Sequence, residues 1–431
     1  MTTGATGCAI FARMKTSLLP LAVLLSTLAP VFAAPNDLAF VSHEWGTFTS
    51  VQGADGVQMD WNPLTVSELP RFVYERNRVL AGKPVLAFKT GLVCRQRMET
   101  PVIYFYSDKA RTVDVSVNFP QGQITEWYPQ ETAADVGLRT AARAAKIPAL
   151  HWDKVEILPK ADGAEKALPT GPGGSHYYAA RETDAALLRV AVGEKKTEVE
   201  KFLFYRGVGS FTAPLTVKLD SADSRRVSLT NAGAEELRSL FIYEVRADGV
   251  SWFPMEKLKA GETRAMSLDT ASAGDAPALA QALRAALVRD GLYEKEAAAM
   301  VKTWETSWLG ERGLRVLYTL PRAWTDRTLP LTITPAPKVT ARVMVGRAEV
   351  ITPVMEQAML NASQRYLAGT AETRPQLVAD TRALGLGRFA EPTLRRVMMA
   401  EKRAPEFSAY SWELLEKISA PEKAAAKPAA E

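Results

Sequence analysis

The chain has 431 residues, of which 47% are hydrophobic and 23% are charged, with a formal net charge of +5. Such a chain can bury a sizeable core, and its length predicts about two or three domains. No basic tract is interleaved with aromatic residues, so the sequence predicts no nucleic-acid partner.

The N-terminus has the residue order of a secretory signal peptide. Lys15 precedes an apolar stretch at residues 18–28, and small residues follow up to Ala34. We predict cleavage after Ala33, because a cut one residue later would leave Pro35 at the new terminus. The sequence therefore predicts a periplasmic or secreted protein.

The mature chain is predicted to have no stable membrane anchor. The apolar stretch is shorter than the roughly 20 residues that span a bilayer. Removal of residues 1–33 lowers the net charge by two, to +3, and also removes Cys8. Cys94 then remains as a single thiol, which cannot form an internal disulfide. Met14 is an alternative translation start to Met1.

From Phe40 to about Thr270 the residues alternate between apolar and polar, which is typical of strands with one buried face. Residues 112–119 form one such strand, and 123–128 are interpreted as its returning hairpin partner. A turn at Gly53–Gly56 predicts a second hairpin. A later set of strands is predicted at 202–206, 226–229, 240–245, 250–253 and 263–268.

The pattern changes at Asp275, which is placed to cap the first helix of a helical hairpin. Strands return at 314–320, 331–334 and 342–350. Thr352 then begins a helical segment with Pro353 in its first turn. The fold class is therefore predicted as α+β and β-rich, with antiparallel β-sandwich-like modules, a helical hairpin insertion and a helical C-terminal part. The predicted divisions are a signal peptide at 1–33, β-rich domains at 34–172 and 173–274, a hairpin with returning strands at 275–351, a helical segment at 352–418 and a disordered tail at 419–431.

The densest cluster of reactive side chains begins at His43 and Glu44. Neighbours on a strand point to opposite faces, so these two cannot share one metal ion without a bulge. His43 is a candidate base, with Trp45 and Thr47 on its own face. The alternative is a core strand in which His43 is simply hydrogen-bonded.

A zinc site is a further alternative. The three histidines, His43, His151 and His176, together with Asp153 could supply the ligands that zinc needs, although their spacing is not diagnostic. The sequence therefore assigns no metal or cofactor. Ser175 and His176 could form a nucleophile and base, or a turn that leads into a strand.

Arg95, Arg97 and Glu99 share one face of a predicted strand. Glu99 is the candidate acid–base carboxylate, with Glu44 as its partner, whereas surface ion pairing is the competing interpretation. Trp304 and Trp308 lie one helical turn apart and could stack sugar rings or belong to the core.

Five stretches of the sequence resemble an uncharacterised group of predicted secreted bacterial proteins. They are HEWGTFTS (43–50), METPVIYFY (98–106), ITEWYP (124–129), GLRVLYTLP (313–321) and VGRAEVITP (345–353). The resemblance implies export and carries no known activity or site residue.

Two functional hypotheses remain. The first is an exported binding or scaffold protein with a glycan or protein partner. The second is a secreted hydrolase acting on glycan or peptide, with His43, Glu44, Glu99 and His176 in one cleft.

Overall fold

The computed structural model describes residues 40–63, 69–75, 93–132, 149–160, 163–171, 174–194, 196–219, 225–270, 272–400 and 404–420. These residues form an α+β, β-rich fold, which confirms the predicted fold class. No helix among them is long and apolar enough to cross a membrane. The predicted signal peptide at 1–33 and its cleavage site lie outside the described residues.

Eighteen strands are present in the described parts of the chain. In chain order they are β1 (Val41–Gly53), β2 (Tyr74–Glu75), β3 (Gln96–Tyr106), β4 (Arg111–Asn118), β5 (Gly122–Tyr128), β6 (Ala149–Leu158), β7 (Leu187–Val192), β8 (Lys196–Glu200), β9 (Leu203–Gly209), β10 (Leu215–Leu219), β11 (Arg226–Asn231), β12 (Leu237–Arg246), β13 (Gly249–Leu258), β14 (Thr263–Ser267), β15 (Ser272–Gly274), β16 (Gly313–Thr319), β17 (Leu331–Thr334) and β18 (Val339–Ile351).

Ten strands form a central sheet in the order β15-β13-β12-β16-β18-β1-β3-β9-β5-β2. β1 lies inside this sheet, parallel to β18 along its whole length and antiparallel to β3. All 13 residues of β1 are buried, so its polar side chains need partners within the protein.

Two smaller sheets have the orders β10-β11-β14 and β17-β4-β6-β7-β8. The predicted hairpin of residues 112–119 and 123–128 is wrong, because β4 belongs to the five-stranded sheet and β5 to the central sheet. The turn at Gly53–Gly56 is present, with the Gly56 amide donating to the Gly53 carbonyl at 2.9 Å. The chain after that turn makes only isolated bridges rather than a full strand.

The predicted helical hairpin consists of α1 (Ala276–Arg289) and α2 (Glu294–Glu305), and the Asp275 carboxylate accepts from the Ala278 amide at 2.8 Å. The hairpin packs on one face of the central sheet, where Leu283 and Met300 join Trp45 in one apolar cluster. The opposite face packs against the two smaller sheets. The central sheet is therefore the middle layer of three.

The remaining helices are α3 (Arg322–Thr328), α4 (Pro353–Ala368), α5 (Arg374–Arg382), α6 (Ala390–Ala400) and α7 (Pro405–Ser419). Thr352 caps α4 as predicted, accepting from the Met355 amide at 3.3 Å. The predicted helical C-terminal part is confirmed. Its helices share apolar clusters of their own. Most of the predicted disordered tail, residues 421–431, lies outside the described residues.

The central sheet takes strands from each of the predicted divisions 34–172, 173–274 and 275–351. Its hydrogen-bonded ladders join β3 to β9 and β12 to β16, across the predicted boundaries. The boundaries between these three divisions stay predictions, and strands from all three lie in one sheet.

Candidate functional site: a buried arginine–glutamate layer

The alternation of side chains along β1 separates its reactive residues. β1 pairs with β18 without a register shift, so odd-numbered and even-numbered residues lie on opposite faces. His43, Thr47 and Thr49 face the side covered by the helical hairpin, whereas Glu44 and Phe48 face the smaller sheets. His43 and Glu44 therefore belong to different environments.

His43 is buried beside a glutamate of α2. Its Nδ1 atom lies 2.7 Å from Oε2 of Glu296, and the Tyr106 hydroxyl donates to Oε1 of the same carboxylate at 2.8 Å. The backbone amide of Tyr293 also donates to Oε2 at 2.8 Å. The centre of the Tyr293 ring lies 4.3 Å from the centre of the His43 ring. Burial, and then the charge of Glu296, raise the pKa of Tyr106 far above its ordinary value. The sequence identified His43 but not Glu296.

Glu44 is held in a buried ion pair on the other face of the sheet. The Arg342 Nε atom donates to Oε2 at 2.5 Å, and the Tyr205 hydroxyl donates to Oε1 at 2.6 Å. Burial alone lowers the pKa of Arg342, but the adjacent Glu44 carboxylate outweighs that effect and raises it overall. Glu44 lies on the opposite face of the sheet from its predicted partner Glu99, and both of its carboxylate oxygens already accept hydrogen bonds.

Glu99 lies on the His43 face, in register with Thr47. The Thr49 hydroxyl donates to Oε2 at 2.6 Å, Arg388 Nη1 donates to Oε1 at 2.7 Å, and Arg97 Nε lies 3.1 Å from Oε1. Burial raises the pKa of Glu99, but the two guanidiniums outweigh it and hold that pKa well below its usual range. The carboxylate is therefore ionised at neutral pH, and its ion pair with Arg97 is buried rather than on the surface.

His176 begins a short 3₁₀ helix at residues 176–181, and its ring lies 5.1 Å from that of Trp304. The Ser175 hydroxyl accepts from the Tyr177 amide at 3.3 Å, so this serine caps the helix. Trp304 and Trp308 are both buried, as the core interpretation of that pair requires.

Three of the four predicted catalytic residues, His43, Glu44 and Glu99, have different hydrogen-bond partners. Glu99 is in register with Thr47, four residues from His43 along β1, which is a distance of about 13 Å at 3.3 Å per residue. Glu44 lies on the opposite face, and His176 packs against α2 at Trp304. The structure does not bring these four residues into one cleft.

The predicted zinc ligands are also dispersed. His151 is exposed on β6 of the five-stranded sheet, whereas His43 is buried in the central sheet. In the ranges that the structure describes, no group of three or more His, Cys, Asp and Glu residues is placed to hold a metal ion.

A larger polar cluster surrounds Glu99, and we call it the arginine–glutamate layer. Six adjacent strands of the central sheet, from β5 across to β16, contribute to it, and two chain segments outside the sheet complete it. Its charged members are Arg97, Glu99, Glu126, Arg206, Glu311, Arg315, Arg347, Glu349 and Arg388.

Ion pairs connect neighbouring members of the layer. On β9 and β5, Arg206 Nε lies 3.0 Å from Glu126 Oε2. On β18, Arg347 pairs with Glu349 at 2.6 Å and with Glu311 at 2.7 Å. Several carboxylates therefore accept from more than one donor, which is the condition under which buried charges are tolerated.

A π-helical segment at Thr306–Gly310 covers part of the layer, directly after α2. Arg315 donates from Nη1 to the Trp308 carbonyl at 2.6 Å and from Nη2 to the Glu311 carbonyl at 2.7 Å. The Ser307 hydroxyl accepts from Arg347 Nη1 at 2.5 Å. The segment therefore joins α2 to the layer through the Ser307 hydroxyl and the Trp308 carbonyl.

The layer carries more positive than negative groups. Its described members are five arginines and four glutamates, which leaves one positive charge in excess. Burial lowers the pKa of Arg97 to about 10, so this guanidinium stays charged at neutral pH. Burial raises the pKa of Glu311, but Arg347 and Arg388 outweigh it and lower that pKa below its ordinary value. Arg97 and Glu311 therefore both stay charged near pH 7.

The layer approaches solvent at one end. The side chains of Arg388 and Glu311 are 14% and 30% exposed, whereas those of Arg315 and Arg347 are fully buried. Arg388 belongs to the short segment Gly387–Phe389, which precedes α6. A ligand would reach the layer from this end.

Comparisons with known proteins identify no family. No family model matches the chain, and no curated protein matches it. Two solved structures show a weak likeness, namely the yeast delta-COP-I mu-homology domain and the same domain complexed with a Dsl1 WxWxV peptide. Each alignment has 8% sequence identity and covers 73% of this chain and 98% of the solved chain. The TM-score is 0.27 for the domain alone and 0.26 for its peptide complex. Likenesses at this level carry no argument about function.

Proposed function

We propose that the mature chain is exported and works outside the cytoplasm as a ligand-binding protein, with its ligand at the exposed end of the arginine–glutamate layer. One observation carries the proposal: seven charged side chains on one face of the central sheet and two on segments that cover it form one cluster, whose described members have one positive charge in excess, beside a π-helical segment and a partly exposed end. Buried charge of this extent is expensive unless it is paired, so an incompletely balanced cluster is typical of a functional site.

Acid–base chemistry at the predicted carboxylates is less well supported. A general acid works best when its pKa lies near the working pH. The two arginines beside Glu99 hold its pKa well below that range. Glu44 is in turn engaged by Arg342 and Tyr205. Both carboxylates are therefore suited to holding cations in place rather than to donating protons.

The binding proposal is tested on the purified mature protein by a thermal-shift screen of metabolites, glycans and peptides. A ligand that binds only the native state must raise the unfolding temperature. We expect at least one compound class to do so, and the effect to be smaller in Arg388→Gln. A screen in which no compound stabilises the wild-type protein would contradict the proposal.

Export is tested separately, by recovering the protein from the producing cell and sequencing its N-terminus. We expect Ala34 as the first residue, in a fraction outside the cytoplasm. Full-length chain confined to the cytoplasm, with residues 1–33 still attached, would contradict the export part of the proposal.

A secreted hydrolase is the second candidate, and the contact of His43 with Glu296 favours it. In the tautomer in which Nδ1 donates to this carboxylate, Nε2 carries the lone pair that a base oriented by a carboxylate uses. Turnover of a peptide or glycan substrate that disappears in His43→Gln would support this candidate. Turnover that persists in the folded variant would exclude His43 as the base.

A further inference from the structure

Buried donors without acceptors lie at the Arg388 end of the arginine–glutamate layer. The Thr47 hydroxyl is fully buried and has no hydrogen-bond partner in the part of the chain that the structure describes, although the nearby Thr49 hydroxyl on the same face donates to Glu99. The Trp308 indole N–H also lacks a hydrogen-bond partner among the described residues, but its ring stacks on Trp304 in the apolar cluster beneath the helical hairpin. Unsatisfied buried groups of this kind destabilise a fold unless something binds them.

The two arginines that hold Glu99 also have donors to spare. Arg97 donates from Nη1 to the Pro63 carbonyl, whereas its buried Nε atom makes no hydrogen bond among the described residues, although it lies 3.1 Å from Oε1 of Glu99. The Nε atom of Arg388 is buried without a hydrogen bond, 3.8 Å from the nearest oxygen of Glu311. Spare guanidinium donors therefore flank the Glu99 carboxylate from two sides.

These observations restrict the chemistry of a ligand. Guanidinium groups only donate hydrogen bonds, so they satisfy acceptors and cannot satisfy a cationic or donor-rich ligand. An anion would also neutralise the excess positive charge of the layer, whereas a neutral ligand would leave it in place. Arginine is well suited to carboxylate and phosphate groups, because its planar donors match their oxygens.

We propose that the site binds a small oxyanion, with the carboxylate or phosphate group accepting from Arg388 and Arg97 and lying close to Thr47, which is in register with Glu99. This inference rests on the proposed binding function and names the ligand class. Arg97 and Arg388 would each contact both the ligand and Glu99, and Arg388 already joins the segment Gly387–Phe389 to the central sheet through Glu99.

The test compares unfolding temperatures of the full mature protein in phosphate, in succinate and in chloride at equal ionic strength. At ten times the dissociation constant, a native-state ligand raises the folded-to-unfolded ratio about elevenfold. We expect phosphate or succinate to stabilise the protein where chloride does not. Stabilisation by one of them alone identifies the group as phosphate or carboxylate.

Two variants localise the effect. Arg388→Gln is expected to weaken oxyanion binding at least about tenfold, since it removes a charged donor. Thr47→Val is expected to weaken binding several-fold while leaving the ligand-free protein at least as stable, because it removes a hydroxyl that has no partner. The control is Arg396→Gln, whose guanidinium pairs with Asp55 and Glu356 outside the layer and which should bind as the wild type does.

Three results would overturn the inference. The first is no stabilisation by either oxyanion beyond that of chloride. The second is stabilisation that is equal in the wild type, Arg388→Gln and Thr47→Val, which would indicate an adventitious ion only. The third is a neutral ligand whose binding Arg388→Gln abolishes, which would refute the oxyanion and leave the binding function standing. If Arg388→Gln does not fold, Thr47→Val decides the question.

Discussion

Replacing Glu99 by glutamine is the most direct test of how the arginine–glutamate layer is held together. The change keeps the shape of the side chain but removes its charge, which leaves Arg97 and Arg388 without their shared carboxylate. Both guanidiniums stay in a region of low solvent access. The substitution therefore exposes the cost of burying cations that have lost their partner.

The expected magnitude follows from the burial of the pair. Breaking a buried ion pair by removing one partner costs about 3–5 kcal/mol in the free energy of unfolding. Glu356→Gln is the matched control, because Glu356 also pairs with an arginine, Arg396, but both side chains are about one-fifth exposed. Partly exposed pairs of this kind contribute about 1 kcal/mol or less. Urea unfolding of both variants and the wild type measures the difference.

The same experiment contains a test of mechanism. If the cost arises from unpaired cations, the double variant Glu99→Gln/Arg388→Gln loses less stability than the two single variants summed, with a coupling of about 0.5–3 kcal/mol. Equal losses in Glu99→Gln and Glu356→Gln, or strictly additive losses in the double variant, would refute the electrostatic account of the layer.

Three further predictions concern pH, a helix cap and a close strand contact. Because folding lowers the pKa of Glu99, its ionised carboxylate contributes to stability above the unfolded pKa of about 4.3, and this contribution is lost as the pH falls through the folded-state pKa. Urea unfolding at decreasing pH should therefore show a smaller loss of stability in Glu99→Gln than in the wild type. An equal loss in both proteins would contradict the prediction. Asp275→Ala removes the cap of α1 and is expected to lower the free energy of unfolding by about 1 kcal/mol, and a thermal melt equal to the wild type would show that the cap contributes nothing. In Gly346→Ala the new Cβ would lie 2.3 Å from the ring of Tyr318, so we expect the free energy of unfolding to fall by about 1–3 kcal/mol in urea denaturation. The control Gly310→Ala places its Cβ in open space and should lose much less stability in the same assay.

Local sequence patterns predicted most elements of the fold. The alternation in β4 and the caps at Asp275 and Thr352 were correct, because these features depend on a residue and its near neighbours. The pairing of β4 with β5 was wrong, since alternation shows that a strand has two faces but not which sheet it joins. The short turn between them leads the chain from the five-stranded sheet to the central one.

The candidate site was only partly predictable. Glu99 was recognised in the sequence, but Arg388 lies 289 residues further along, and Glu296 lies 253 residues from His43. No local spacing joins residues so far apart. A usable indication was present in β18, where Arg342, Arg347 and Glu349 lie among mostly apolar residues. Charges inside a strand that is buried on both faces require partners, and such strands indicate a buried network.

The position of β1 constrains how this chain can mature during synthesis. β1 is the first of the described strands in chain order, yet its parallel neighbour β18 follows 298 residues later, as the register of Glu44 with Arg342 shows. Until Ile351 has emerged, one edge of a long nascent strand has nothing to pair with, and an open edge invites association with other chains. Sheets closed by such distant partners assemble slowly. A nascent chain that ends before β18 cannot complete its middle layer, so factors that shield unfinished chains would act on it throughout translation.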